Sequence, residues 1–265
     1  MKNEYTIATR AAIRAGEAIL EVYREKDLEV ELKADETPLT RADRTAHGII
    51  REALEETGIP VLSEEGRDIP YDERRRWEQF WMVDPLDGTK EFIKRNGEFT
   101  VNIALIEKGR TGFGVVYAPW NNELFVGLPG MGSFRCKNTK YFNQPLEYLV
   151  QFSEKLPFEK HKQTGVCRVV ASRSHFNEET KQFIDFLELE GRKVSLVSRG
   201  SSLKLCMVAT GEADIYPRMG PTMEWDTAAA HAVVKATGKN VCCFDTGEEL
   251  EYNKEDLHNP HFLVS

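Results

Sequence analysis

The sequence is short of cysteine, and what it has is not arranged for chemistry. There are five in 265 residues: Cys136, Cys167, Cys206, Cys242 and Cys243. No pair has Cys-x-x-Cys spacing, and none has the Cys/His spacing of a zinc site. The number is odd and two are adjacent, so no disulfide framework is expected. They read as reduced core thiols of a cytoplasmic protein. Long apolar runs are missing too, which excludes a transmembrane segment. The opening residues carry acids early and lack the apolar stretch of a signal peptide. An excess of positive charge is also missing: 35 Lys and Arg face 43 Asp and Glu, a net charge of −8. That argues against a nucleic acid polymer as partner, which needs a basic footprint. It does not exclude a small anionic substrate, because a bound metal reverses the local field. No Ser/His or Cys/His pair for covalent catalysis stands out.

What is present is ordinary globular material, 41% hydrophobic and 29% charged, enough for one large domain or two small packed ones. Residues 4–25 carry Ile7, Ala11, Ala15, Ala18, Ile19 and Val22 at helical spacing. Residues 28–33 alternate strictly and predict a half-exposed strand. A second helix is expected over about 41–57, ended by Gly58 and Pro60, then a short strand at 61–63. Residues 67–78 are charged and predict a surface helix. Segments 99–106, 112–118 and 123–128 predict an antiparallel meander. The stretch 137–165 is polar and aperiodic, and reads as a linker or irregular excursion between two halves. Beyond it, helices near 177–190, 201–210 and 225–237 alternate with strands near 168–171, 193–197, 215–216 and 240–244. That order predicts layered α and β, an α+β arrangement, and not a simple doubly wound sheet.

Function concentrates in residues 79–92. Phe80-Trp81-Met82-Val83 predicts a buried strand, which stops at Asp84-Pro85-Leu86-Asp87-Gly88-Thr89. Two carboxylates thus sit three residues apart at the carboxyl end of a core strand, where open α/β sheets place ligands. Carboxylates held close repel unless a cation or a proton lies between them. Mg²⁺ uses such carboxylates together with phosphate oxygens, and the N–H groups of Gly88 and Thr89 offer an anion cradle. The hexapeptide alone is equally well read as a strand followed by an Asx-type turn with both acids solvated. Asp43, Glu64-Glu65 and Asp226 also lie at element ends. Taken singly, Asp43 and Asp226 read as helix caps and Glu64 as a solvated acid.

Together, Leu62-Ser63-Glu64-Glu65, Asp84-Pro85-Leu86-Asp87-Gly88-Thr89 and Trp225-Asp226-Thr227-Ala228-Ala229 resemble the signatures of the inositol monophosphatase superfamily. These are Mg²⁺-dependent, Li⁺-sensitive phosphatases. The resemblance spans nearly the whole chain. It implies a layered α-β-α-β-α sandwich of the inositol monophosphatase and fructose-1,6-bisphosphatase type, as a single domain over 1–265. Residues 1–136 would carry the metal site and 166–265 would set the substrate. Glu64, Asp84, the Leu86 carbonyl, Asp87 and Asp226 would bind two or three Mg²⁺. Asp43 would help hold a third ion and, with Thr89, orient the attacking water, with Glu65 nearby. Gly88 and Thr89 would hold the phosphate, and attack would be in line.

Within the superfamily the second half resembles the CysQ-type 3′(2′),5′-bisphosphate nucleotidases. The carrying residues are Val170-Ala171-Ser172-Arg173-Ser174-His175, Gly200-Ser201-Ser202-Leu203-Lys204 and Ala213-Asp214-Ile215-Tyr216-Pro217-Arg218. In that branch Ser201, Lys204 and Arg218 would hold the phosphate that is not cleaved, and His175 would meet base or phosphate or cap the following helix. Without the resemblance, Lys204 and Arg218 read as solvated surface charges. The expected substrate is a small phosphorylated nucleotide, adenosine 3′,5′-bisphosphate or 3′-phosphoadenylyl sulfate. The alternatives are inositol 1-phosphate, fructose 1,6-bisphosphate, and an inactive binding protein on the same fold. The only macromolecular partner left open is a second copy of the chain in a homodimer. Two departures from the family pattern, Ala230 and Thr237-Gly238-Lys239, concern packing.

Overall fold

The structure is a computed structural model and describes residues 1–33, 38–137, 139, 142–158, 165–171 and 177–265. Its frame is a seven-stranded sheet, its strands neighbours in sequence order and antiparallel apart from the first, parallel pair. The strands are β3 (Val61–Ser63), β4 (Gln79–Asp87), β5 (Thr100–Glu107), β6 (Arg110–Ala118), β7 (Glu123–Leu128), β8 (Gly132–Cys136) and β9 (Glu154–Leu156). The central strands are buried on both faces, so they read as continuous apolar runs. Trp81, Val83, Val101, Ile103, Phe113 and Val115 meet α1 (Asn3–Tyr23) and α2 (Arg41–Glu55). Phe80, Met82, Ala104, Ile106 and Val116 point the other way, toward α7 (Leu203–Thr210) and α8 (Glu224–Lys235).

Beyond α7 and α8 lies a second sheet. Strands β10 (Val166–Val170) and β11 (Lys193–Val197) pair in parallel, and β12 (Tyr216–Arg218), β14 (Phe262–Val264) and β13 (Val241–Cys243) pair antiparallel in that order. Ile215, next to β12, bridges Val169 in parallel and joins the two ladders. Helix α6 (Glu178–Leu189) covers the outer face through Ile184 and Leu187. The order of layers is therefore α-β-α-β-α. Short elements complete the set: β1 (Glu31–Leu32), β2 (Pro38–Leu39), α3 (Tyr71–Arg74), α4 (Thr89–Ile93) and α5 (Leu146–Gln151).

The approach of α8 to the first sheet depends on missing side chains. A Cβ on Gly114 would lie 2.3 Å from the Ala229 carbonyl oxygen, and one on Gly127 would lie 2.4 Å from that of Ala232. Glycine in the strands and alanine on the helix, Ala228 to Ala230 all buried, let the two backbones meet.

Three expectations need correction. The alternating stretch 28–33 contributes only β1, and Leu32 is 71% exposed, so the alternation marks no buried face. The 67–78 helix is only the single turn α3. Pro70 fixes its entry, while buried Arg74 binds the Asn253 side chain and the Glu255 carbonyl at 3.0 and 2.7 Å. The described part of 137–165 is not a linker: Leu146 and Leu149 of α5 enter the core, and β9 extends the first sheet by pairing with β8. Strand β14 carried no separate sequence signal.

Candidate active site

The parallel pairing of β3 with β4 sets Ser63 beside Val83, so both strands end at one edge. The Glu64 N–H donates to the Val83 carbonyl at 3.1 Å, which fixes Glu64 against the start of the Asp84 turn. Side chains three apart on a regular strand face opposite ways. Here the β4–β5 register shifts between Asp84, opposite Asn102, and Asp87, opposite Thr100. The extra residue on β4 is a bulge that returns both carboxylates to one side. Pro85, with no N–H to lose, suits that position. The Asp84 carboxylate accepts the Leu86 N–H at 3.0 Å, an Asx turn that stiffens the bend. Gly88 follows with φ +89°, a conformation that favours glycine.

Asp226 arrives from the third layer, in the first turn of α8, where its carboxylate accepts the Met223 N–H at 2.9 Å. It is a helix cap, as its local sequence suggests, and it also reaches the bulge. Among the described residues, Asp84, Asp87 and Asp226 form an acidic cluster with carboxylate oxygens within 4.8 Å of one another. Asp84 is 1% exposed. Burial, then Glu64, Asp87 and Asp226, push its carboxyl well above the ordinary carboxylate range. Burial and Asp87 push Asp226 up to about 8. Three clustered carboxylates, one buried and two half-buried, are unfavourable unless a cation or protons intervene. An all-oxygen set with the Leu86 carbonyl close by suits a hard divalent ion.

Asp43 and Thr89 meet as well. Asp43 Oδ2 accepts the Thr40 N–H and hydroxyl at 2.7 and 2.6 Å and closes the first turn of α2. Its Oδ1 lies 3.2 Å from the Thr89 hydroxyl, which is also 3.2 Å from the Leu86 carbonyl. A hydroxyl has one proton, so Thr89 donates to one of these at a time. Burial raises the Asp43 carboxyl, partly offset by Thr40. Glu64 and Glu65 share the Lys33 ammonium, with Glu64 Oε1 at 2.8 Å. Glu64 therefore lines the cleft without belonging to the three-carboxylate cluster.

Besides the acids, the same cleft, a cavity of roughly 290 Å³, is lined by Gly88, Thr89, Ser201, Lys204, Tyr216 and Arg218. Lys204 is no solvated charge. Its ammonium donates to the Ser201 carbonyl at 2.8 Å, and burial, assisted by Arg218, pushes it down to about 8 against the pull of Asp87. Arg218 is 9% exposed and donates to the Pro221 carbonyl at 2.9 Å. Arg218 Nε and Ser201 Oγ are buried without a hydrogen-bond partner among the described residues. His175 lies outside the described residues.

Sequence reasoning missed the residues that hold Asp87. Its Oδ2 is 2.6 and 2.8 Å from the Ser202 nitrogen and hydroxyl, and 3.4 Å from both Thr100 Oγ1 and Asn102 Nδ2. Thr100 and Asn102 lie in what reads as a plain apolar strand, and only their polarity there was a signal.

Comparison with known proteins agrees with this geometry. The sequence matches the inositol monophosphatase family over residues 1–263. It is 45% identical over 260 residues to the 3′(2′),5′-bisphosphate nucleotidase CysQ of Shigella flexneri, covering 96% of each chain. It is 44% identical over 262 residues to the protein of that name from Escherichia coli strain K12, again with 96% of each covered. The crystal structure of CysQ from Bacteroides thetaiotaomicron, described as a bacterial member of the inositol monophosphatase family, superposes with a TM-score of 0.91 at 46% identity. It covers 100% of this chain and 97% of that one. The layered fold, the bulged Asp84–Asp87 turn and a family match over nearly the whole length lead to one placement: this chain belongs to the inositol monophosphatase family.

Proposed function

We propose that the protein is a divalent-metal-dependent 3′(2′),5′-bisphosphate nucleotidase that releases the 3′-phosphate of adenosine 3′,5′-bisphosphate, giving AMP, and accepts 3′-phosphoadenylyl sulfate at the same site. The observation that carries this reading is the presence of two unlike sets of groups in one cleft. The clustered carboxylates share the cleft lining with partly buried Lys204 and buried Arg218. A monophosphate has no use for the second, cationic set. The names of relatives at 44–45% identity support the same substrate class.

The donor set suits Mg²⁺, as two or three ions on Glu64, Asp84, the Leu86 carbonyl, Asp87 and Asp226, with Asp43 contributing to a third. Ions held there would supply charge neutralisation of the phosphate and activation of water. The chain does the rest. The N–H groups of Gly88 and Thr89 orient the departing phosphate. The Thr89 hydroxyl, donating to Asp43 Oδ1, keeps a lone pair for the attacking water; as it accepts a proton from that water, its own proton passes to the Asp43 carboxylate. Lys33 holds Glu64 and Glu65 in place beside them. Lys204 and Arg218 hold the 5′-phosphate by charge-assisted hydrogen bonds, using the free Arg218 Nε and Ser201 Oγ.

Phosphate release from adenosine 3′,5′-bisphosphate, inositol 1-phosphate and fructose 1,6-bisphosphate tests the reading. The nucleotide should lead in kcat/KM by about tenfold or more. Equal or better turnover of either sugar phosphate would reassign the substrate.

A further inference from the structure

Ser202 immediately precedes α7, yet its polar atoms serve the bulged turn on β4. The Ser202 N–H donates to Asp87 Oδ2 at 2.6 Å, and Ser202 Oγ lies 2.8 Å from the same oxygen and 2.7 Å from the Asp226 carbonyl. Behind it, the Asn102 amide donates to Ser202 Oγ at 2.8 Å. Ser202 is 2% exposed and Asn102 1%, so water does not take over these bonds. The hydroxyl has one proton, delivered to Asp87 or to the Asp226 carbonyl, while Asn102 occupies a lone pair. The turn that brings it there is strained. Ser201 has φ +47°, a region that residues with a Cβ rarely adopt, and such strain persists only where the surroundings enforce it. The surroundings here include Gly88, where a Cβ would come within 3.3 Å of Ser201 Cβ.

We propose that Ser202 is a positioning residue for the cation site. It pins Asp87 Oδ2, so that the other oxygen is presented to Asp84 and Asp226, and it ties the start of α8 to the same point. All the described hydrogen bonds to Asp87 go to Oδ2. Two residues after Ser202 the same segment carries Lys204, so the group that orients a carboxylate and one of the cationic groups share one rigid turn. The inference rests on the reading that the three carboxylates hold a divalent cation.

Calorimetric titration of Mg²⁺ into substrate-free protein tests it, with the wild type, Ser202→Ala, Ser202→Thr, Asn102→Ala and the Ser202→Ala/Asn102→Ala double variant. Removing a group that orients a metal-holding residue weakens metal binding by about 10- to 100-fold. Ser202→Ala should weaken Mg²⁺ by about tenfold, with its chelator-treated circular dichroism unchanged. Ser202→Thr, which keeps the hydroxyl, should recover most of the affinity. Asn102→Ala should weaken Mg²⁺ as well, and the double variant should lose less than the sum, because the two act on one oxygen. Wild-type affinity in Ser202→Ala, no recovery in Ser202→Thr, or additive losses would each overturn the proposal. A wild type that does not bind Mg²⁺ would instead overturn the reading of the site itself.

Discussion

The Lys33 ammonium lies 2.8 Å from Glu64 Oε1 and also bonds Glu65, so one cation of the protein's own already sits beside the carboxylate cluster. Burial works to lower Lys33, but Glu64 and Glu65 outweigh it and hold the ammonium above its ordinary range. Lys33→Met would leave Glu64 and Glu65 facing each other and Asp43. We expect the chelator-treated variant to lose about 1–2 kcal/mol, between the values of exposed and buried pairs. That corresponds to roughly 2–8 °C in Tm for a chain of this size. Saturating Mg²⁺ should restore most of it. Thermal unfolding with and without chelator checks this, and an unchanged Tm in chelator would show that the pair has no structural weight.

Asp84→Asn separates activity from stability. The amide keeps the Asx-turn bond to the Leu86 N–H but removes a buried charge that Glu64, Asp87 and Asp226 all oppose. Activity should fall by about a thousandfold, several kcal/mol of lost charge stabilisation. In chelator the variant should unfold at a higher temperature than the wild type, and Mg²⁺ should no longer raise its Tm. A variant destabilised in chelator would mean that the cluster is not repulsive when metal-free.

Lys204 sets a pH limit. Its partly buried ammonium has a folded value of about 8, below the ordinary 10.5. It therefore loses its proton as pH rises through about 8, while Arg218 stays charged. The unfolded chain holds the extra proton up to about 10.5, so this group alone makes stability rise with pH across that window. Binding runs the other way. The KM for adenosine 3′,5′-bisphosphate should climb above pH 8, and Lys204→Arg should move or abolish the climb. Substrates with one phosphate should show none of it. A pH-independent KM over pH 7–9.5 would remove Lys204 from the subsite.

Gly114→Ala probes how the fold carries the site. The new Cβ would sit 2.3 Å from the Ala229 carbonyl oxygen, which is backbone and cannot swing aside. Helix α8 must shift, and Asp226 moves with it. We expect a loss of about 1–3 kcal/mol, the usual range for overpacking, together with weaker Mg²⁺ binding. Chemical denaturation and Mg²⁺ titration measure the two. Lost stability with unaltered Mg²⁺ affinity would mean that Asp226 does not depend on this packing.

The legible part of the site is the part that is contiguous. Asp84 to Thr89 form one run, and their place at the end of a buried strand could be read before any fold was known, though their role could not. Asp226 and Glu64 were legible because their short neighbourhoods repeat family signatures. What holds these groups in place was not legible. Ser202 reaches Asp87 only once the turn before α7 is brought against β4, and Asn102 only through the pairing of β5 with β4, contacts no local pattern encodes. The bulge that brings Asp84 and Asp87 to one side depends on the register of β5 against β4, and Pro85 only hints at it. In the fold, long apolar segments such as β4 to β7 and α8 were plain from periodicity. Failures fell where a short element is fixed by distant contacts: α5 and β9 in a polar stretch, β14 between two partners, and α3 held by the C-terminal segment through Arg74.

The central claim is that one cleft releases a phosphate at the carboxylates while holding a second on Lys204 and Arg218. Phosphorus NMR of the products from adenosine 3′,5′-bisphosphate reads this directly. The account predicts AMP carrying its 5′-phosphate together with inorganic phosphate in the presence of Mg²⁺, and intact substrate in the presence of chelator. Adenosine 3′-phosphate as the product, or undiminished turnover in chelator, would contradict it.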